Sequence, residues 1–304
     1  MLTLKHNFNG SEILNNCFKN NIDLVSIIIP TTITKICDDA FNHCVNLTSI
    51  IFPNSVKEIG EWCFYECFGL KHIDIPDSVT KIGDRCFSRC YELTSINLSN
   101  SISVLSRKCF DNAKKLKTII VPNSVTLIEH DCFCECNELT SINFSNSLIK
   151  IEKYCFVNCY KLEQIKLPNS LTHIGEKCFH RCIKLKEINL PISIKYLSSG
   201  CFHTCESLTK IIIPNNLTKI NSFMFCNCIN LQSVILPNNL IGIYNGVFKN
   251  CYKLKSLIIP DNTKYLGCYC FDNCYNLTQI KIPNSIKIDK NCFNNCQKIK
   301  VNSY

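Results

Sequence analysis

The chain has 304 residues, is 46% hydrophobic, and carries 33 Lys and Arg against 24 Asp and Glu, a net charge of +9. That balance is modest and is spread along the chain with no arginine block, so composition gives no support to nucleic-acid binding. No run approaches the roughly 18 consecutive apolar residues of a membrane helix. The opening MLTLKHNFNGSEILNN lacks the apolar centre of a secretory signal, so a cytoplasmic chain is expected, with unconventional export to the cell surface as the alternative.

Residues 1–16 precede the first repeated phrase and are expected to cap the first coil. From Cys17 onward one phrase returns, a Phe followed three residues later by Cys. The Phe stands at 18, 41, 64, 87, 110, 133, 156, 179, 202, 225, 248 and 271, always 23 residues apart, and a last step of 22 reaches Phe293. A fixed period of this length marks a solenoid. Residues 17–304 are therefore expected to form about twelve stacked coils, the last one partial.

Each coil can be followed from its Phe. Six residues on comes Leu, as in Leu24, Leu47 and Leu70; nine and eleven on come apolar residues, as in Ile73 and Ile75. A pair two apart has the strand period, so both side chains point inward. Twelve on is Pro in ten of twelve coils, and those ten are every Pro in the chain. Pro has no N–H for a ladder and stops the strand. Asn or Asp with Ser follows, as at Asn54-Ser55, and predicts a turn built on short side chains that bond the local backbone. A second aliphatic pair, such as Val56 and Ile59, predicts another short extended run. The phrase Cys-Phe-x-x-Cys then closes the coil and is expected to be a helical turn, because Cys at i and i+4 would share one face. A coil cannot bury its apolar residues alone, and stacking buries them against its neighbours. Each buried Phe contributes roughly 1.5–3 kcal/mol. At the far end, Lys298 and Lys300 flank the final strand and would discourage edge-to-edge pairing.

The Cys columns have three readings: metal ligands, disulfides or core. Of 25 Cys, all but Cys37, Cys134, Cys226 and Cys268 lie just before the Phe or three after it. Ala40 and Ala113 replace Cys in these columns, and Met224 and Val247 also stand in the first. A ligand does not exchange with Ala, Val or Met, whereas a small buried apolar residue does. Core packing and free thiols are expected.

Leu93-Thr94-Ser95-Ile96 and Leu185-Lys186-Glu187-Ile188-Asn189-Leu190-Pro191, followed by aliphatic-x-x-Ile and then Cys-Phe-x-x-Cys, resemble the BspA-like class of leucine-rich repeats. The resemblance runs from residue 17 to about 301. It implies a leucine-rich-repeat solenoid, mostly β with short helical turns, with a parallel sheet on the concave side. It implies no catalytic residues and no cofactor, and it brings the surface antigens and adhesins of that class into view. The chain differs in having Cys where the class more often has Ala before the Phe.

Three places are candidates for chemistry or binding. The residue after the Phe is His180, His203 and Cys226 on consecutive coils, which are zinc-compatible types. The same column holds Asn42, Ser88, Asp111, Val157 and Lys249, so it reads as a variable surface position, and no metal is expected. Asn46-Leu47-Thr48 and Asn276-Leu277-Thr278 are glycosylation triplets that matter only in a secreted chain. No nucleophile motif, phosphate loop or acid–base pair stands out, so the chain reads as a non-catalytic scaffold that binds a protein partner. The residue ten after the Phe faces out of each strand. It is Ile at 212, 235 and 258, three rungs in succession, bordered by Lys210 and Lys255. Such a patch is either a partner-binding centre or a stack of β-branched neighbours that steadies the sheet.

Overall fold

The apolar pairs two apart form short strands at every coil. A computed structural model describes residues 10–303, with side chains through residue 299. Most of the expected cap, residues 1–9, and the Lys300 side chain lie outside the described residues. The chain is a parallel β-solenoid with a 23-residue turn and divides into two units, Met1–Leu148 and Ile149–Tyr304. In the first unit Ser26–Ile28 pairs with Ser49–Ile51, His72–Asp74 with Ser95–Asn97, and Thr118–Ile120 with Ser141–Asn143. In the second unit Gln164–Lys166 pairs with Glu187–Asn189, Lys210–Ile212 with Ser233–Ile235, and Ser256–Ile258 with Gln279–Ile282, which also pairs with Lys300–Ser303. Every pairing is parallel, and the central residue of each three-residue strand is buried between outward neighbours. A second ladder of two-residue strands, such as Lys35–Ile36 with Glu58–Ile59, runs through each unit. Glu12–Ile13 joins it by pairing with Lys35–Ile36, so residues 12 and 13 already hold a repeat position. Among the described residues no helix is long and apolar enough to cross a membrane.

The Phe column is the spine of both units. From Phe41 to Phe271 every repeat Phe is fully buried. Ring centroids lie 5.1–5.7 Å apart from Phe18 to Phe133, with planes within 9° of parallel. From Phe156 to Phe293 the spacing is 5.2–5.7 Å.

The bend at Cys-Phe-x-x-Cys is not a helical turn, and among the described residues no helix forms. It is a run of β-turns. Cys44 N–H donates to the Phe41 carbonyl, Asn42 to Asp39 and Leu47 to Cys44. The residues two before and two after the Phe lie in the left-handed region, Asp39 at φ 57° and His43 at φ 58°, for example. Positive φ at both places breaks the helical path. It also aims alternate N–H groups at the next coil, so Phe41 N–H donates to the Cys63 carbonyl and His43 to Tyr65. Cys at i and i+4 still share the inward face, as buried Cys63 and Cys67 do, but consecutive β-turns rather than a helix bring them there.

The thiols are core, with a polar duty the substitution pattern did not show. Nearly all are buried and none is bridged. In the column three after the Phe, ten thiols donate to the carbonyl of the Phe one coil earlier. Cys44 reaches Phe18 at 3.0 Å, Cys90 reaches Phe64 at 3.1 Å and Cys205 reaches Phe179 at 3.2 Å. Burial pushes the Cys44 thiol up to about 11, and pushes Cys90 and Cys205 higher still, so the proton needed for donation stays on sulfur. The turn serines also reach across coils rather than only along the chain: Ser55 Oγ donates to the Ile33 carbonyl at 2.6 Å. Where Pro is missing, buried Ser99 and Ser145 donate to Val79 and Val125.

Candidate interaction surface

In the second unit the buried side chains of Ile211, Val234 and Leu257 force their neighbours Ile212, Ile235 and Ile258 to the other face. Those three are 60%, 56% and 68% exposed. Ile212 stands in register with Ile235, and Ile235 and Ile258 line one open groove of about 830 Å³. Exposed Lys210 opens the first of these strands, opposite Ser233. Lys255 precedes the third and lines the groove with Gln232 and Asp261. Neither lysine forms an ion pair among the described residues. Lys210 and the three isoleucines thus share the outward strand face, and Lys255 sits at its edge, just ahead of the third strand. That face ends where Pro214, Pro237 and Pro260 stop the strands.

The charge around this face became visible only once the chain divided. Residues 1–148 hold 13 Lys and Arg less 16 Asp and Glu, a balance of −3; residues 149–304 hold 20 less 8, a balance of +12. The two account for the total of +9. Residues 207–260, which contain all three exposed isoleucines, have no Asp or Glu at all, while Lys210, Lys219, Lys249, Lys253 and Lys255 fall within them.

Between its exposed ends, Lys19 and Asn294, the column directly after the Phe is largely withdrawn from the surface. Asn42, Ser88, Cys226 and Asp272 are buried and His180 and His203 half-buried. Its polar groups are satisfied along the stack, as where Lys249 Nζ lies 2.9 Å from Asp272 and Asn294 donates to Asp272 at 2.8 Å. The His180 and His203 rings meet edge to face at 4.7 Å. His180 Nδ1 donates to the His203 carbonyl at 3.1 Å, and His203 Nδ1 pairs with Thr204 Oγ1 at 2.7 Å. Burial, then the neighbouring His180 and Lys177, pushes His203 down to about 4. Cys226 is a buried thiol pushed up to about 11. Among the described residues no group of three His, Cys, Asp or Glu is placed to hold a metal ion. The triplet asparagines are structural here: Asn46 and Asn276 donate to the Ile22 and Tyr252 carbonyls of the preceding coil, each at 2.7 Å.

One ladder escaped the sequence reading. Two residues after the Phe, Asn250 donates to Asn227 at 2.6 Å, Asn273 to Asn250 at 2.7 Å and Asn295 to Asn273 at 2.7 Å. All four have positive φ, which Asn tolerates better than most residues. Its signal was Asn recurring in one column, hidden by Glu66, Arg89 and Thr204 in the same place.

Comparison with known proteins bears on both fold and family. No match was found among curated proteins. The chain is similar to a leucine-rich repeat protein of Bacteroides ovatus ATCC 8483, with 28% identity and a TM-score of 0.85 over 95% of this chain and 81% of that one. It is also similar to a leucine-rich cell surface protein of Faecalibacterium prausnitzii A2-165, with 26% identity and a TM-score of 0.59 over 92% and 87%. A leucine-rich repeat protein of Eubacterium ventriosum ATCC 27560 shares the fold at 21% identity and a TM-score of 0.60 over 92% and 84%. The description "BspA type Leucine rich repeat region (6 copies)" matches residues 11–138, 103–218 and 197–303. Since those matches run through nearly all of the repeats, the chain belongs to the BspA-type leucine-rich repeat family.

Proposed function

We propose that this chain is a non-catalytic scaffold that holds a protein partner on the outward strand face of its second unit. Ile212, Ile235 and Ile258 form the centre and Lys210 and Lys255 the border. Residues ahead of Cys17 close the first coil. The observation that carries the reading is three exposed isoleucines in succession on a face where six of the twelve rungs show Asn, Asp or Lys. Contiguous exposed apolar surface costs solubility unless something covers it. Solenoids offer such faces as ready-made platforms.

The test is the triple change of the three isoleucines to Thr, which keeps the β-branch and removes apolar surface. Partner recovery from a lysate of the source organism is expected to fall while the melting temperature holds. Unchanged recovery from a folded variant would show that the isoleucines only steady the sheet.

A second reading places the chain at the cell surface as an antigen or adhesin, rather than in the cytoplasm. It is favoured by the Faecalibacterium prausnitzii relative, which is described as a cell surface protein. Antibody labelling of intact cells distinguishes the two locations: signal without permeabilisation supports the surface, and signal only after it supports the interior.

A further inference from the structure

We infer that the partner segment received by the second unit's strand face is acidic and carries aliphatic side chains. This rests on the proposed use of that face for binding and adds the chemistry of what binds. The centre is apolar and exposed at Ile212, Ile235 and Ile258. Its border is cationic, with Lys210 and Lys255 unpaired among the described residues, whereas Lys249 is engaged by Asp272. Across residues 207–260 no carboxylate offsets these lysines, and the unit as a whole carries +12. An anionic segment therefore meets attraction along the Lys210 and Lys255 border, opposed only by Glu187 one coil before Lys210 in the same column and by Asp261, and a cationic one meets repulsion. Asp261, at one end of the groove, is the single acid in its lining and sets the end from which an acidic segment is held away.

The outward column of the first unit shows the contrast. There Ile28 and Ile51 are followed on the next coil by Asp74, whose carboxylate binds His72 and Asn97. An acidic segment reaching past those two isoleucines would face a carboxylate. Ile120 stands alone between Asn97 and Asn143, so among the described residues three successive apolar rungs bordered by lysines occur only on the second unit's face. A dry apolar centre with a charged border is the general anatomy of a specific protein interface. The border sets the sign of the partner and the centre holds it.

The experiment uses the full chain and a short fluorescent peptide in which Glu and Leu alternate, read by anisotropy at low and physiological salt. Tight binding is expected for this peptide, and weak binding when Gln replaces Glu or Ser replaces Leu. The K210E/K255E variant should bind about tenfold more weakly, with a shallower salt dependence. It should in turn bind a peptide of alternating Lys and Leu. K219E/K264E, with the same charge change on the second strand ladder, should leave binding unchanged. Equal binding of the Gln peptide, or equal losses in the two double variants, would overturn the inference. So would capture of heparin or polyuridylate RNA with the peptide excluded, since any polyanion would then suffice. These outcomes separate from the scaffold reading itself. If the isoleucine-to-Thr chain loses its native partner while K210E/K255E retains it, the face binds but does not select for acid.

Discussion

The two units share a core and differ in what they hang on it. Each stacks its Phe rings at nearly the same spacing, and each turns its coil with residues of positive φ on both sides of that Phe. Two residues after the Phe, the first unit builds a charged ladder. Glu66 accepts from Arg89 at 2.9 Å and lies 2.8 Å from His43. In the same column the second unit builds the amide ladder of Asn227, Asn250, Asn273 and Asn295. The backbone fixes where the side chain goes, and the side chain need only find a partner one coil away. That freedom lets one unit reach −3 and the other +12 on an unchanged core.

The sharpest way to break this comparison is to remove the shared part. Phe87→Ala in the first unit and Phe202→Ala in the second should each cost about 3–5 kcal/mol, the range for deleting a buried aromatic ring. Denaturant unfolding measures both. Similar values support one core design, and a tolerant site in either unit would show that its coils are held by something else. Thiol labelling adds a local readout. Cys86 and Cys90 flank Phe87, and Cys201 and Cys205 flank Phe202, all fully buried. Each is expected to resist a thiol reagent in the native chain and to react once its own Phe is removed.

A smaller effect separates the amide ladder from its backbone. Asn250→Ala loses two side-chain hydrogen bonds and puts Ala at φ 61°. The expected loss is about 1–2 kcal/mol, combining a hydrogen-bond contribution with left-handed strain. Asn250→Gly relieves the strain but not the lost bonds. If Gly restores full stability, the column is chosen for conformation and the ladder is incidental.

Much of this architecture was legible in the sequence because a strict period is a long-range signal. It placed the strands, the Pro stops and the Phe spine without any knowledge of neighbours. The bend was misread because helical turns and consecutive β-turns both bring Cys at i and i+4, such as Cys63 and Cys67, to the inward face. Only the positive φ at residues such as Asp39 and His43 tells them apart, and φ is not written in spacing. The column after the Phe looked like surface because its residues vary from coil to coil, with buried Asn42, Ser88 and Asp272 among them. They are buried because the neighbouring coil supplies their partners, as Lys249 and Asn294 do for Asp272. The isoleucine face was readable from strand alternation. Its charge setting was not, because a total of +9 conceals two units of opposite sign.

Acid should weaken the two units in different windows. His203 stays neutral in the folded second unit down to about 4 but takes up a proton near 6.5 when unfolded. Between those values the unfolded chain binds more protons. This contribution is therefore complete above about 6.5 and is lost as pH falls towards about 4. Glu66 in the first unit behaves as a stabilised carboxylate. Burial opposes its charge, but hydrogen bonds from Arg89 and Tyr65 outweigh burial and hold it below the usual 4.5. Its contribution is present above 4.5 and is lost only as pH falls through the lower folded value. His203→Asn should flatten the pH dependence of stability in the upper window alone. An unchanged pH profile in His203→Asn would show that the histidine is not held neutral.

The smallest effect distinguishes the two ladders by their physics. Glu66→Gln keeps the length of the side chain and one acceptor oxygen for Arg89, replaces the other acceptor with an amide donor, and removes the charge. The pair with Arg89 is partly exposed, with the arginine side chain 46% accessible, so screening by solvent limits what charge can add. The expected cost is below about 1 kcal/mol. It should shrink towards zero near 1 M salt, where the Debye length falls to about 3 Å. Asn250→Ala in the second unit breaks neutral amide bonds, which salt does not screen, so its cost should be the same at low and high salt. Unfolding curves of both variants at two ionic strengths decide the matter. A salt-dependent Asn250→Ala would mean that its ladder is supported by the surrounding lysines rather than by its own hydrogen bonds. A salt-independent Glu66→Gln would mean that Arg89 serves Glu66 as a hydrogen-bond donor and its charge contributes nothing further.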